Sequence, residues 1–257
     1  MSNANGFESL EPRQLLSGIV LNAQNVMVVT GTMGADTIAV TAGSGGLSGD
    51  TLAVAINGVQ LSGPFLTSGV VQGIEVDGQA GADQITVNES GAPFALPTSV
   101  FGGQAGDSIV VAGSEISYIV GGKGHDTILT GSGSAVVHGG AGNDSITVGN
   151  GGNIVSGGLG NDTIVSGTGY DTLIGDAGND SIVGGGGDDI LLGRAGNDTI
   201  VGNINGESGI STLYGGTGSD SLQPGPSDPT NPDGALNPPN AAQLVASWES
   251  LTSVPPI

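Results

Sequence analysis

The apolar positions along this chain recur at multiples of nine. Ile128, Ile146, Ile164, Leu173, Ile182, Leu191 and Ile200 are separated by stretches rich in Gly, Asn, Asp and Ser. Three residues with one inward side chain predict a very short strand. The six Gly-rich residues between such runs predict a turn, since Gly accepts positive φ and Asn or Asp at the fifth place tolerates it next best. From Gly157 to Val201 the chain reads GGLGNDTIV, SGTGYDTLI, GDAGNDSIV, GGGGDDILL, GRAGNDTIV. Further copies are GGQAGDSIV at Gly102–Val110, GGKGHDTIL at Gly121–Leu129, GGAGNDSIT at Gly139–Thr147 and GGTGSDSLQ at Gly215–Gln223. Weaker copies, TGSGSAVVH at Thr130–His138 and VGNGGNIVS at Val148–Ser156, keep the frame continuous from Gly121 to Val201.

These units resemble the RTX (hemolysin-type) calcium-binding nonapeptide, GGxGxDxUx. The resemblance covers roughly residues 100–223 and implies an all-β fold, a right-handed parallel β-roll or β-solenoid, with Ca²⁺ as the bound ion. The residues lead the same way. Two nonapeptides close one coil of 18 residues with a sheet on either side, and coils stack about 4.8 Å apart. The listed Ile and Leu form a thin core.

The carboxylates fall into register. Asp126, Asp144, Asp162, Asp180 and Asp198 are each 18 apart and share one edge of the roll; Asp171 and Asp189 lie on the other, where Asn153 and Ala135 continue the row in degraded form. Like charges about 5 Å apart repel by about 3 kcal/mol per pair at an effective dielectric near 20. A cation between turns converts that penalty into binding. Carboxylate and carbonyl oxygens in a flexible cage suit Ca²⁺ better than Mg²⁺, and transition metals would want imidazole or thiolate.

By resemblance, each ion sits between turns 18 residues apart, taking Asp and carbonyl oxygens from both. That places sites at Asp126/Asp144, Asp144/Asp162, Asp162/Asp180, Asp180/Asp198 and Asp171/Asp189, with carbonyls of Gly121, Gly139, Gly142, Gly157, Gly160, Gly178 and Gly196. Asp107/Asp126, spaced 19, extends the series. Asp198/Asp220 is spaced 22, marking a four-residue insertion near Asn203–Ser211 that sets this pair apart, and a site with Asn153 and Asp171 lacks one charge. Counting such pairs gives about five to eight ions.

The chain divides into a leader (1–18), irregular β coils with a hairpin (19–120), the roll (121–223), a Pro-rich linker (224–239) and a short C-terminal helix or tail (240–257). Strands are expected at Val26–Thr30, Thr37–Thr41, Thr51–Ile56, Gly73–Val76, Gln84–Val87 and Ile109–Val111, with a hairpin turn at Asn57-Gly58. Gly34–Ile38 and Gly81–Ile85 look like half-kept copies of the repeat, and the spacing leaves open whether Asp36, Asp77 or Asp83 meets an ion. The N-terminal coils would cap the first rung, because an open sheet end invites pairing. Leu10, Glu11, Pro12, Arg13, Leu15 and Leu16 resemble the LEPR-XLL motif of planctomycete-type surface proteins, which implies an exported, cell-surface setting.

Composition narrows the function. Three basic residues face 24 acidic ones in 257 residues, a formal charge of −21. That excludes a phosphate-backbone binder and argues against an anionic membrane surface. With no Cys there are neither disulfides nor thiolate sites. No apolar run reaches the roughly 18 residues of a membrane span. His125 and His138 occupy positions five and nine of repeats, expected as solvated slots, and the paired carboxylates are taken up by metal ligation, so the chain reads as a non-enzyme. Leu129, Val165, Ile174, Val183, Leu192, Val201 and Tyr214, at the outward ninth position, suit a calcium-folded surface protein that assembles with itself, side to side or end to end. The alternative is an accessory or adhesion module for a glycan or other cell-surface partner. Ice binding ranks third, since the Thr127, Ser145, Thr163, Ser181, Thr199 row has no paired Thr array beside it.

Overall fold

The computed structural model describes residues 18–43, 51–60, 65–66, 71–88, 96–113, 116–203 and 209–225. The LEPR-XLL-like segment, nearly all of the Pro-rich linker and the C-terminal helix expected from the sequence lie outside these residues. Among the described residues the regular structure is all strand, in a ten-stranded and a twelve-stranded sheet. From Gly73 onward each coil gives one strand to each sheet, and successive coils pair in parallel, forming a β-solenoid. No described helix is long and apolar enough to cross a membrane.

The core is two facing columns. In the twelve-stranded sheet Ile38, Ile85, Ile109, Ile128, Ile146, Ile164, Ile182 and Ile200 stack in register, each 0 or 1% exposed. Opposite them in the ten-stranded sheet stand Val29, Val76, Val100, Ile119, Val137, Val155, Leu173 and Leu191, all fully buried. The eighth position is thus apolar even in the weak copies that lost their Asp. Some strands of the twelve-stranded sheet are as short as expected, three residues at Ser145–Thr147 and Thr163–Val165, while Ser181–Gly185 and Thr199–Asn203 reach five. Those of the ten-stranded sheet are longer, six at Ile154–Leu159 and seven at Ala135–Ala141, because pairing continues into the next turn.

Each strand expected in the N-terminal part is present, and Asn57 (φ 52°) and Gly58 (φ 75°) turn the Thr51–Ile56/Val59–Gln60 hairpin. Gly18–Leu21 pairs antiparallel with Val26–Thr30 at one end of the ten-stranded sheet. Irregular coil lengths are absorbed on one side only. Ser108 pairs with Gln84, 24 residues back, whereas Ser117 pairs with Thr98, 19 back, so the extra residues fall between Asn88 and Thr98. Asn203 pairs with Gly185 but Thr212 with Ile190, which puts the four-residue insertion between Asn203 and Thr212. Both departures fall after a strand of the twelve-stranded sheet and before one of the ten-stranded sheet, the side of Asp171 and Asp189, so the opposite edge keeps its register.

Two expectations about exposure are overturned. Ile174 is 1% and Leu192 8% exposed. They neighbour each other across the sheet, and Asp176 and Arg194, two residues on, stand where other coils carry Gly and pair over this face at 2.8 Å. Leu129 is outward as expected, 44% exposed. His138 is not a solvated slot: it is half-buried and meets Tyr118 edge-on with ring centroids 5.8 Å apart. Burial lowers its pKa, against the opposing pull of Asp176.

Candidate metal centre

Every position-six Asp from Asp107 to Asp198 is buried, 1 to 3% exposed, on both edges. On the first edge the backbone N–H of each donates to Oδ1 of the next coil's Asp: Asp107 to Asp126 at 2.7 Å, Asp126 to Asp144, Asp144 to Asp162 and Asp162 to Asp180 at 2.8 Å, Asp180 to Asp198 at 2.9 Å. The ladder crosses the 22-residue gap intact, with Asp198 N–H on Asp220 Oδ1 at 2.9 Å. It also reaches back beyond the repeat, through Asp83 N–H on Asp107 Oδ1 (2.8 Å) and Asp36 N–H on Asp83 Oδ1 (2.7 Å). Asp77 stands outside it: its Oδ1 accepts from the Gln79 N–H at 3.0 Å.

The second carboxylate oxygen is different. Oδ2 of Asp107, Asp126, Asp144, Asp162, Asp171, Asp180 and Asp198 is buried with no hydrogen-bond partner. A buried carboxylate oxygen without a partner is costly. On the first edge each faces the position-one glycine of its own turn. A Cβ built on Gly121 would lie 2.5 Å from Asp126 Oδ2 and 2.6 Å from the carbonyl oxygen of Gly139, one coil on; at Gly139 the corresponding atoms are Asp144 Oδ2 and Gly157 O, both at 2.5 Å. A carboxylate and a carbonyl oxygen of neighbouring coils therefore converge beside each of these glycines. Among the described residues no three carboxylate or imidazole groups come together, so a cation here would take its remaining ligands from backbone carbonyls and water. Hard oxygen donors of that kind fit Ca²⁺.

Glycine serves two purposes in the turn. At position one it leaves room for the carboxylate. At positions two and four the backbone is left-handed, as at Gly122 (φ 115°) and Gly124 (φ 118°). The fifth position, where Asn was expected to take positive φ, does not do so. Its Asn side chains form a second, exposed ladder in the opposite sense: Asn161 N–H donates to Asn143 Oδ1 (2.8 Å), Asn179 to Asn161 and Asn197 to Asn179 (both 2.7 Å). His125 begins it, its Nδ1 accepting from Asn143 N–H at 2.7 Å. Non-Gly residues do take positive φ at position two, in Asp176 (76°) and Arg194 (77°), and at position four in Ala105 (76°).

On the second edge Asp171 N–H donates to Asp189 Oδ1 at 3.0 Å and Asn153 N–H to Asp171 Oδ1 at 2.7 Å. Asn153 behaves unlike any Asp. Its Nδ2 donates to Gly151 O (2.7 Å), Gly149 O (3.0 Å) and Asp171 Oδ1 (2.9 Å). Ala135 keeps the register by its backbone alone, donating to Asn153 Oδ1 at 3.0 Å. Ser211 takes the sixth place after Asp189.

Burial raises the pKa values of the first-edge row, against the lowering effect of the donated N–H. Asp107 is pushed up to about 7, and Asp83, Asp144, Asp162 and Asp180 to about 6, with neighbouring carboxylates adding to the rise. Asp126 and Asp198 move in the same direction for the same leading reason. Without a cation, these carboxyls give up their protons at higher pH than an ordinary aspartate does.

A model of the RTX calcium-binding nonapeptide repeat (4 copies) matches residues 102–137, 130–164, 138–173, 165–200 and 202–226. The chain carries RTX calcium-binding repeats. No curated protein and no solved structure is similar enough to the chain to count as a match. The RTX region coincides with the coils whose unpartnered carboxylates have just been described, and it begins one coil after Asp83.

Proposed function

We propose that this chain is an extracellular, non-enzymatic structural protein whose roll is completed by Ca²⁺ and which then assembles with itself at the cell surface. The observation that carries the reading is the row of buried, unpartnered Oδ2 atoms, with a carbonyl of the next coil converging on those of Asp107, Asp126, Asp144 and Asp198. Ions would lie between successive coils, held by Asp107, Asp126, Asp144, Asp162, Asp180, Asp198 and Asp220 on the first edge and by Asp171 and Asp189 on the second, about five to eight in all. Carbonyls of position-one Gly121, Gly139 and Gly157 and of position-four Gly142, Gly160, Gly178 and Gly196 complete the cage. Asn153 is the weakest place, since its own amide already engages three oxygens. Binding to a site absent from the unfolded chain is folding energy. The acidic chain would stay open where Ca²⁺ is scarce and fold after export. Exposed Leu129, Leu159 and Tyr170 supply apolar surface for assembly.

Molar mass by light scattering during a calcium titration of chelated protein tests this. Reversible growth well beyond 24.8 kDa supports assembly, and a compact monomer at saturation refutes it. An unchanged far-UV CD spectrum between chelator and millimolar Ca²⁺ would refute calcium-driven folding itself. A second reading, an adhesion module for a glycan, draws on the Phe101, Tyr118, His138 row across the ten-stranded sheet, with centroids 6.1 and 5.8 Å apart. Rings of this kind offer faces on which sugars stack.

A further inference from the structure

Asp83 lies in Gly81-Ala82-Asp83-Gln84-Ile85, before the RTX region and 24 residues from Asp107. Its surroundings nevertheless match those inside the repeat. Asp83 is 1% exposed and its Oδ2 has no hydrogen-bond partner. A Cβ built on Gly78 would lie 2.5 Å from that Oδ2 and 2.5 Å from Gly102 O of the next coil, against 2.5 and 2.6 Å for the same atoms at Gly102. Asp36, one coil earlier, is as buried but differently served. Its Oδ2 accepts from Thr32 N–H (2.5 Å) and Thr32 Oγ1 (2.8 Å), and its Oδ1 from Asn57 Nδ2 (2.7 Å).

We infer that Asp83 and Gly102 O form an additional site for a hard divalent cation outside the recognised repeat, and that Asp36 closes the ladder without an ion. The inference rests on the calcium reading proposed above. Its physical content is a boundary. Where an ionised carboxylate oxygen is buried beside a carbonyl with no donor, a cation offsets its charge; where Thr32 and Asn57 supply donors, none is needed. The hairpin that carries Asn57 thus provides an ion-independent end on which the ion-dependent coils stack.

Native mass spectrometry of the full chain at saturating Ca²⁺ counts the ions. Asp83→Asn should lower the count by one and Asp36→Asn should leave it unchanged. Asn fits this slot, since Asn153 occupies the equivalent place with its Oδ1 still accepting an N–H. Gly78→Ala, which puts a methyl group between the two oxygens, should also remove one ion and serves if Asp83→Asn fails to fold. An unchanged count in both Asp83→Asn and Gly78→Ala, with several ions on the parent chain, overturns the inference alone. A parent chain that binds no calcium overturns the calcium reading with it.

Discussion

The amide nitrogen of Asn153 donates to Oδ1 of Asp171 at 2.9 Å while also donating to two carbonyls of its own turn. At Asp171 and Asp189, further along the row, the same place holds a carboxylate that can only accept. One coil of the second edge is therefore satisfied by protein donors alone.

Asn153→Asp removes those donors and buries another acid. In chelator it should destabilise the roll by about 1–3 kcal/mol, the cost of leaving buried acceptors unpaired. In millimolar Ca²⁺ it should recover that loss and bind one more ion. Thermal unfolding in both conditions, with an ion count, checks this; equal destabilisation with and without calcium would contradict it.

The raised pKa values fix the sign of the pH response. Asp107 at about 7 and Asp83, Asp144, Asp162 and Asp180 at about 6 hold protons more tightly than the ordinary value of 3.8. Their contribution to the metal-free fold is complete below 3.8 and is lost as pH rises through 6 to 7. In chelator, β-signal in far-UV CD should therefore grow on acidification from pH 8 to pH 5. With calcium present the dependence reverses, because protons compete with the ion for the same oxygens. A chelated chain that gains no structure on acidification would count against this.

At Gly139 a methyl group would sit 2.5 Å from both Asp144 Oδ2 and Gly157 O. Gly139→Ala should cost about 1–3 kcal/mol through overpacking and weaken calcium binding. Chemical denaturation and a calcium titration measure the two effects. Loss of stability at unchanged affinity would mean that the cradle is not part of the ion site.

Arg194 pairs with Asp176 at 2.8 Å, but the two side chains remain 33% and 24% exposed. Solvent screening limits such a pair to about 0–1 kcal/mol, while the left-handed backbone of Arg194 costs about 1–2 kcal/mol in a non-Gly residue. Arg194→Gly should leave the melting temperature unchanged or slightly higher. A clear fall would show that the pair covers Ile174 and Leu192 more effectively than these magnitudes allow.

The nonapeptide period by itself determined the inward column from Ile128 to Ile200 and the division of Asp126 and Asp171 between two edges. It could do so because both are local: position in the repeat fixes the face, and identical coils stack in one way. Tertiary structure decided what depends on neighbours distant in sequence. Asp36 and Asp83 are 47 residues apart yet share one ladder, because the hairpin between them pairs onto the end of the twelve-stranded sheet and leaves Thr37–Thr41 beside Gln84–Asn88. Ile174 is buried on the strand that carries the Asp176–Arg194 pair, and His138 meets Tyr118, residues that depart from the repeat or precede it. The Asn row at position five looked like turn chemistry, and only the stacked coils show it bonding from one turn to the next. Strand register, set by pairing along the whole sheet, brought these groups together; composition and spacing within a single repeat carry no record of it.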